Sequence, residues 1–309
     1  MEEHVPVLLR EALENLAIKP DGIYVDLTVG RAGHSSAILK QLTTGKLFGF
    51  DQDHTALEAS KKRLAAISSN FELIDANFAK VRSELEARGI HSVNGILMDL
   101  GVSSPQFDEA DRGFSYRFEA PLDMRMDADN PLTAAMVVNT YELRELTRVI
   151  RDYGDEKHAY EIAKAIVKTR SLTPILTTTQ LVDVIKKALP LKELSKKGHP
   201  AKQTFQALRI EVNHELEVLT VALNEASGML AKGGRLVVIT FHSGEDRIVK
   251  NFFKSVSVVE GSRHGVVSLI PESKDFTVLN NHKVIVPSEQ EMLENHRAQS
   301  AKMRVLEKK

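Results

Sequence analysis

Gly30 and Gly33, Asp51, Asp99 and His242 are the residues whose types and spacing could do chemistry on a nucleotide-like ligand. The two glycines punctuate the turn after an apolar run at residues 23–27, and Ser35 and Ser36 open the helical stretch that follows. Strand, glycine turn and helix form the first unit of a nucleotide-binding α/β fold, because glycine lets backbone N–H groups come close to a ligand. The spacing is Gly-x-x-Gly rather than the Gly-x-Gly-x-x-Gly of dinucleotide sites, so a tight turn in an ordinary strand–helix unit is the plain alternative. Asp51 ends a second apolar run, residues 46–50, about 20 residues after the glycines, where doubly wound folds set a carboxylate against ribose hydroxyls. A helix N-cap is the competing role, and it suits Asp53 better. Phe78, just past a third strand at 71–75, either stacks on a flat ring or packs in the core. Asp99 lies in a fourth strand, residues 95–100, that runs into Gly101-Val102-Ser103-Ser104-Pro105-Gln106. Such a loop holds the reacting group of a second substrate in these folds, although its residues are also ordinary turn formers. His242 closes a fifth strand, residues 235–241, and is read as either structural or catalytic.

These residues need a scaffold, and the chain alternates strands with helices to build one. Helices at 55–67 and 79–88 separate the strands, so an α/β fold with a doubly wound, mostly parallel sheet is expected, with ligands at the carboxyl ends of its strands. A short amphipathic helix is expected over residues 5–18. Beyond residue 113 the strand signal stops. Asn130-Pro131 opens one helix with proline in its first turn, and residues 141–153 form another, ended by Gly154. Residues 156–168 carry one apolar face, and Thr177 with Gln180 reads as a capping box for a helix at 181–189. Residues 113–200 are therefore an inserted helical domain, dividing a core made of 1–112 and 201–309. A single long helix starts at Pro200, with Leu216, Leu219, Leu223, Ala226 and Leu230 at helical spacing. Tail strands at 256–259, 284–286 and 301–306 close the sheet.

Composition bounds the function. The 309 residues are 42% hydrophobic with a net charge of −1, enough for a real core but without a global basic field. Any nucleic-acid contact must come from local patches. Two stretches qualify. Arg112-Gly113-Phe114-Ser115-Tyr116-Arg117-Phe118 interleaves arginines with aromatics, able to pair phosphates and stack bases or simply to seat a loop. Residues 192–199 are basic and lead into a helix carrying Lys202 and Arg209; a solvated loop is the bland alternative. The chain has no cysteine, which excludes disulfides, thiolate metal sites and a cysteine nucleophile. No apolar run of about 18 residues and no signal peptide are read, so a cytoplasmic protein with no membrane contact is expected.

Taken in order, the motifs resemble those of the bacterial RsmH (MraW) family. They are Asp26-x-Thr28-x-Gly30-Arg31-x-Gly33-His34-Ser35, Asp99-Leu100-Gly101-Val102-Ser103-Ser104-Pro105-Gln106, Arg112-Gly113-Phe114-Ser115 and Pro121-Leu122-Asp123-Met124-Arg125-Met126-Asp127. His199-Pro200-Ala201, Thr204-Phe205-Gln206-Ala207 and Phe241-His242-Ser243 with Glu245-Asp246-Arg247 complete the set. The resemblance implies a class I methyltransferase fold that uses S-adenosylmethionine to methylate the exocyclic amine of a cytidine in the decoding region of 16S rRNA. It implies 16S rRNA within the small ribosomal subunit as partner and leaves a homodimer open. Carried over, Ala32, Gly33, His34, Asp51, Phe78, Asp99 and Gln106 line the cofactor site. Arg112, Lys197, His199 and Lys202 are expected to contact RNA. The departures are Ala32 where the family usually has glycine, Gly244 for leucine and His296 for proline. Many nucleic-acid amine methyltransferases carry Asp/Asn-Pro-Pro-aromatic after the fourth strand, and this chain does not. The acceptor for the amine proton therefore falls to the segment around Ser104 or to His242. A nicotinamide dehydrogenase would share the glycine turn and Asp51, but not the spacing or the insert. A non-catalytic rRNA-binding assembly factor with a retained cofactor fold stays open.

Overall fold

The short apolar runs pair into one sheet. The computed structural model describes residues 6–101, 112–257 and 275–309. Its strands are β1 (Ile23–Asp26), β2 (Lys46–Asp51), β3 (Phe71–Asp75), β4 (Val93–Asp99), β5 (Leu230–Thr240), β6 (Phe276–Val278) and β7 (Lys302–Lys308). They lie in the order β3-β2-β1-β4-β5-β7-β6. β1 to β5 run parallel, and β7 enters antiparallel between β5 and β6. This is the doubly wound, mostly parallel sheet expected from the sequence. Strands covered on both faces read as continuous apolar runs, and β4 shows it, with Ile96, Leu97 and Met98 fully buried. The chain steps outward from β1 to β3, then returns to lay β4 on the other side of β1. The topological switch point therefore falls at the carboxyl ends of β1 and β4, where such sheets leave a crevice for ligands.

The chain divides into two compact units, Met1–Gly101 with Leu216–Lys309, and Val102–Glu215. The first holds the sheet. Alternate residues of a strand face opposite ways, so Leu97 joins one core while Ile96 and Met98 join the other. With Leu97 pack Ala12 and Leu16 of α1 (Leu9–Leu16), Ile38 and Leu39 of α2 (Gly33–Leu39), and Leu64 of α3 (His54–Ala65). On the other face lie Val81 and Leu85 of α4 (Val81–Glu86), Leu219 and Leu223 of α10 (Glu215–Gly228), and Val249 and Phe253 of α11 (Ser243–Val256).

The second unit is helical, with α5 (Ala134–Thr140), α6 (Leu143–Gly154), α7 (Ala159–Arg170), α8 (Thr178–Ala188) and α9 (Lys202–Asn213). Its separate core includes Val137, Leu146, Ile150, Ile162, Ile166, Leu181 and Ile185. Thr177 and Gln180 form the expected capping box at the head of α8. α9 adds Phe205, Leu208 and Val212 to this core, so the unit extends to Glu215 rather than ending at residue 200.

Several elements differ from the sequence reading. The single helix expected from Pro200 is two, divided at His214, whose backbone is left-handed at φ 50°. A bidentate pair, Arg209 Nε and Nη2 to Glu215 at 2.7 and 2.8 Å, spans the break. Pro131 precedes α5 instead of opening it; the N-cap is Thr133, accepting from the Met136 N–H. The helix expected over 5–18 is the shorter α1. In the tail, Ser257 forms only an isolated bridge with Phe276, and residues 258–259 lie outside the described residues. Ile285 likewise makes only an isolated bridge, with Met303. No helix among the described residues is long and apolar enough to cross a membrane.

Candidate active site

At the switch point β1 ends in Asp26 and β4 in Asp99. Asp26 is buried. Its carboxylate accepts from the Ser35 hydroxyl at 2.6 Å and from the Thr28 N–H at 3.1 Å. Burial pushes the Asp26 carboxyl above its ordinary range, against the pull of Ser35, His34 and Thr28. The Thr28 hydroxyl oxygen accepts from the Asp99 N–H at 2.7 Å, which ties the two strand tips together.

His34 joins the β4 tip to the segment before α1. Its Nε2 stands 3.0 Å from the Val7 carbonyl oxygen and its Nδ1 stands 3.4 Å from Asp99 Oδ2. A carbonyl only accepts, so Nε2 carries a hydrogen and Nδ1 faces the Asp99 carboxylate. Burial opposes the charged imidazole, but the Asp99 carboxylate, with Asp26 and the Val7 carbonyl, outweighs it and raises the His34 value. Asp99 Oδ1 is buried and has no hydrogen-bond partner among the described residues. A buried carboxylate oxygen in that state calls for a donor that the described residues do not supply.

The turn between β1 and α2 needs unusual backbone. Gly30 is left-handed at φ 48° and Ala32 at φ 59°. An L side chain there costs about 1–2 kcal/mol, which glycine avoids and Ala32 does not. A Cβ on Gly33 would run into the Pro6 ring, so that close approach requires glycine. Asp51, at the tip of β2, holds this turn. Its carboxylate accepts from the Gly30 N–H and the Asp53 N–H, each at 2.9 Å. Burial pushes Asp51 up to about 6 in spite of those two N–H groups. The N-cap of α3 is Asp53, which accepts from the Thr55 N–H. With about four lone-pair sites on a carboxylate, Asp51 keeps acceptor capacity for a ligand.

The other expected residues divide. Phe78 is half-buried and packs against the sheet core. His242 is the N-cap of α11: its Nδ1 accepts from the Glu245 N–H at 3.4 Å, while Glu245 Oε2 accepts from the Phe241 and His242 N–H groups at 2.8 and 3.2 Å. His242 Nε2 lies 3.1 Å from Glu245 Oε1, without the alignment of a hydrogen bond. Ser104 and Gln106 lie outside the described residues. In the helical unit, Arg112 Nη2 donates to the Arg125 and Met126 carbonyls at 3.1 and 2.9 Å. Lys197 and Lys202 are exposed, and His199 stacks on Tyr116. Sequence reasoning assigned no side-chain role in the site to Asp26, Thr28, Ser35 or Glu245. Only the spacing Asp26-x-Thr28 before the glycines, and Glu245 three residues after His242, signalled them.

The whole chain, residues 1–309, matches the model of a family described as the MraW methylase family. It is 53% identical to the ribosomal RNA small subunit methyltransferase H of Mesoplasma florum, with 100% of each chain covered. It is 52% identical to the protein of that name from Clostridioides difficile, over 99% of this chain and 98% of the relative. Among solved structures, an rRNA methylase from Streptococcus thermophilus aligns over 99% of both chains with 14% identity and a TM-score of 0.44.

Proposed function

The chain belongs to the MraW methylase family, and on that premise we propose that it is a cytoplasmic, S-adenosylmethionine-dependent rRNA methyltransferase of the small ribosomal subunit. Its target is the exocyclic amine of a cytidine in the decoding region of 16S rRNA, methylated without a covalent enzyme–RNA intermediate. The observation that carries this reading is the buried, unpartnered Asp99 Oδ1 at the β1–β4 switch point. It stands beside a glycine turn whose Gly30 N–H is held by Asp51.

The residues present fit the cofactor. Ala32, Gly33 and His34 form the turn, Asp51 offers spare carboxylate lone pairs to ribose hydroxyls, and Phe78 offers a flat half-buried ring. Asp99 supplies a charged acceptor, and Gln106 completes the set expected from the family. S-adenosylmethionine supplies a methyl group on a sulfonium, open to direct displacement. Catalysis then rests on alignment of the amine nitrogen with that methyl. The amine's lone pair is delocalised into the ring, so an acceptor against its N–H favours attack. His242 and the segment around Ser104 are the candidates. In the cap seen here His242 Nδ1 already receives the Glu245 N–H, so its ring would have to release that bond to accept a proton. A base reached in this way is single-stranded or flipped out.

Methylation at carbon 5 of cytosine proceeds through thiolate addition at carbon 6, and this chain has no cysteine. The test uses small-subunit RNA with tritium at carbon 5 of cytidine. Methyl incorporation with the tritium retained is the expected result. Stoichiometric release of tritium to water would refute nitrogen methylation, and no methyl incorporation into any small-subunit particle would refute the enzyme.

A further inference from the structure

One place in the helical unit combines an aromatic platform with unbalanced positive charge. The rings of Tyr116 and His199 stack with centroids 4.2 Å apart and planes 9° from parallel. Phe205, which is buried, meets Tyr116 edge-on at 5.8 Å and 88° and holds it in place. Both stacked rings are only half-buried. His199 Nδ1 accepts from the Ala201 N–H at 3.2 Å, which leaves the hydrogen of the neutral ring on Nε2. That Nε2 has no acceptor among the described residues.

Lys186 and Arg117 face the same imidazole. After burial, their charges are what hold His199 below its ordinary value. Neither cation has a carboxylate partner among the described residues. Four other arginines of this unit are ion-paired: Arg125 with Asp123, Arg148 with Glu211, Arg151 with Asp152 and Arg209 with Glu215. Phe118, beside Arg117, is 51% exposed. An anion held by Lys186 and Arg117 beside His199 would receive the Nε2 hydrogen. A flat base would extend the stack. Single-stranded nucleic acid offers both, whereas an RNA duplex keeps its bases stacked on one another.

We propose that Tyr116, His199, Arg117 and Lys186 form a seat for a single-stranded RNA nucleotide, with its phosphate between the two cations and its base on the rings. This rests on the rRNA methyltransferase reading and names where the substrate strand runs beyond the target cytidine.

The probe is a fluorescent single-stranded cytidine dodecamer, titrated across salt concentrations against the full chain and the R117Q/K186Q variant. Both substitutions are at exposed positions. The variant's log–log salt slope is expected to be shallower by about 0.7 for each phosphate that it no longer neutralises. Tyr116→Leu, which keeps apolar bulk against Phe205, is expected to weaken binding about tenfold, and Tyr116→Phe to retain it. With small-subunit particles as substrate, the double variant should raise KM while leaving kcat close to that of the parent. S-adenosylmethionine affinity should be unchanged in all three variants. A parental salt slope and KM in the double variant would overturn the seat, as would no measurable dodecamer binding by the parent chain. Failure of the parent to methylate particles, with the binding defects still present, would instead reject the enzyme reading and leave the seat standing.

Discussion

Asp51 joins two turns with a single carboxylate, accepting from Gly30 after β1 and from Asp53 after β2. The alternatives left open by its sequence position are thereby separated: Asp53 takes the helix cap, and Asp51 stays with the glycine loop. Asp51→Ala is expected to weaken S-adenosylmethionine binding by about 1.5–3 kcal/mol, the range for a hydrogen bond to a charged group. Calorimetry on the folded variant decides it, and unchanged affinity would leave Asp51 with the loop alone. The pH dependence has a definite sign. The folded value is about 6, against about 3.9 in an unfolded chain. Between the two, the folded protein holds a proton that the unfolded chain has lost, so this group subtracts stability as the pH rises through that window. Cofactor affinity should rise over the same interval, because ribose hydroxyls donate to the ionised carboxylate. Asp51→Asn should remove that part of the rise; an unaltered profile would exclude Asp51 as its source.

At the scale of an element, the head of α11 carries a question about chemistry. The His242–Glu245 capping box satisfies N–H groups that would otherwise be orphaned beside β5. His242→Ala should cost about 1 kcal/mol, whereas His242→Asn, itself a good cap, should recover most of it. The asparagine variant has no titrating nitrogen. If His242 accepts the amine proton, methyl transfer by that variant should fall about 10²–10⁴-fold. Near-parental transfer with restored thermal stability would assign His242 to the cap alone. The break between α9 and α10 was invisible for a related reason. Apolar residues recur at helical spacing on both sides of it, and the left-handed residue is His214, not the glycine that usually marks such an end.

At the scale of the molecule, every described residue assigned to the cofactor belongs to the unit containing the sheet. A variant in which a short linker replaces residues 112–214 should therefore keep S-adenosylmethionine binding and lose rRNA methylation. A narrower cut, replacing only 116–198, should fare worse, because it strips Phe205, Leu208 and Val212 of the core they share with α6 and α7. Cofactor-dependent thermal shift and labelled-methyl transfer to small-subunit particles measure the two properties. Methylation by the 112–214 variant, or loss of its cofactor binding, would contradict this division.

The sequence by itself determined what is local. Strands buried on both faces announce themselves as apolar runs, the glycine turn by its glycines, and the caps at Asp53 and Thr177 by side chains a few residues from the groups they bond. The order of motifs was enough for the family, and the absence of cysteine closed one route to methylcytosine. Only the tertiary structure decided what depends on residues distant in the chain. Asp26, His34 and Asp99 come together because β4 returns to lie beside β1. Tyr116 and His199 become one platform because α9 packs in the helical core. Burial and pairing of charges are properties of the assembled interior, where desolvation and neighbouring groups set the energy of each ionised side chain.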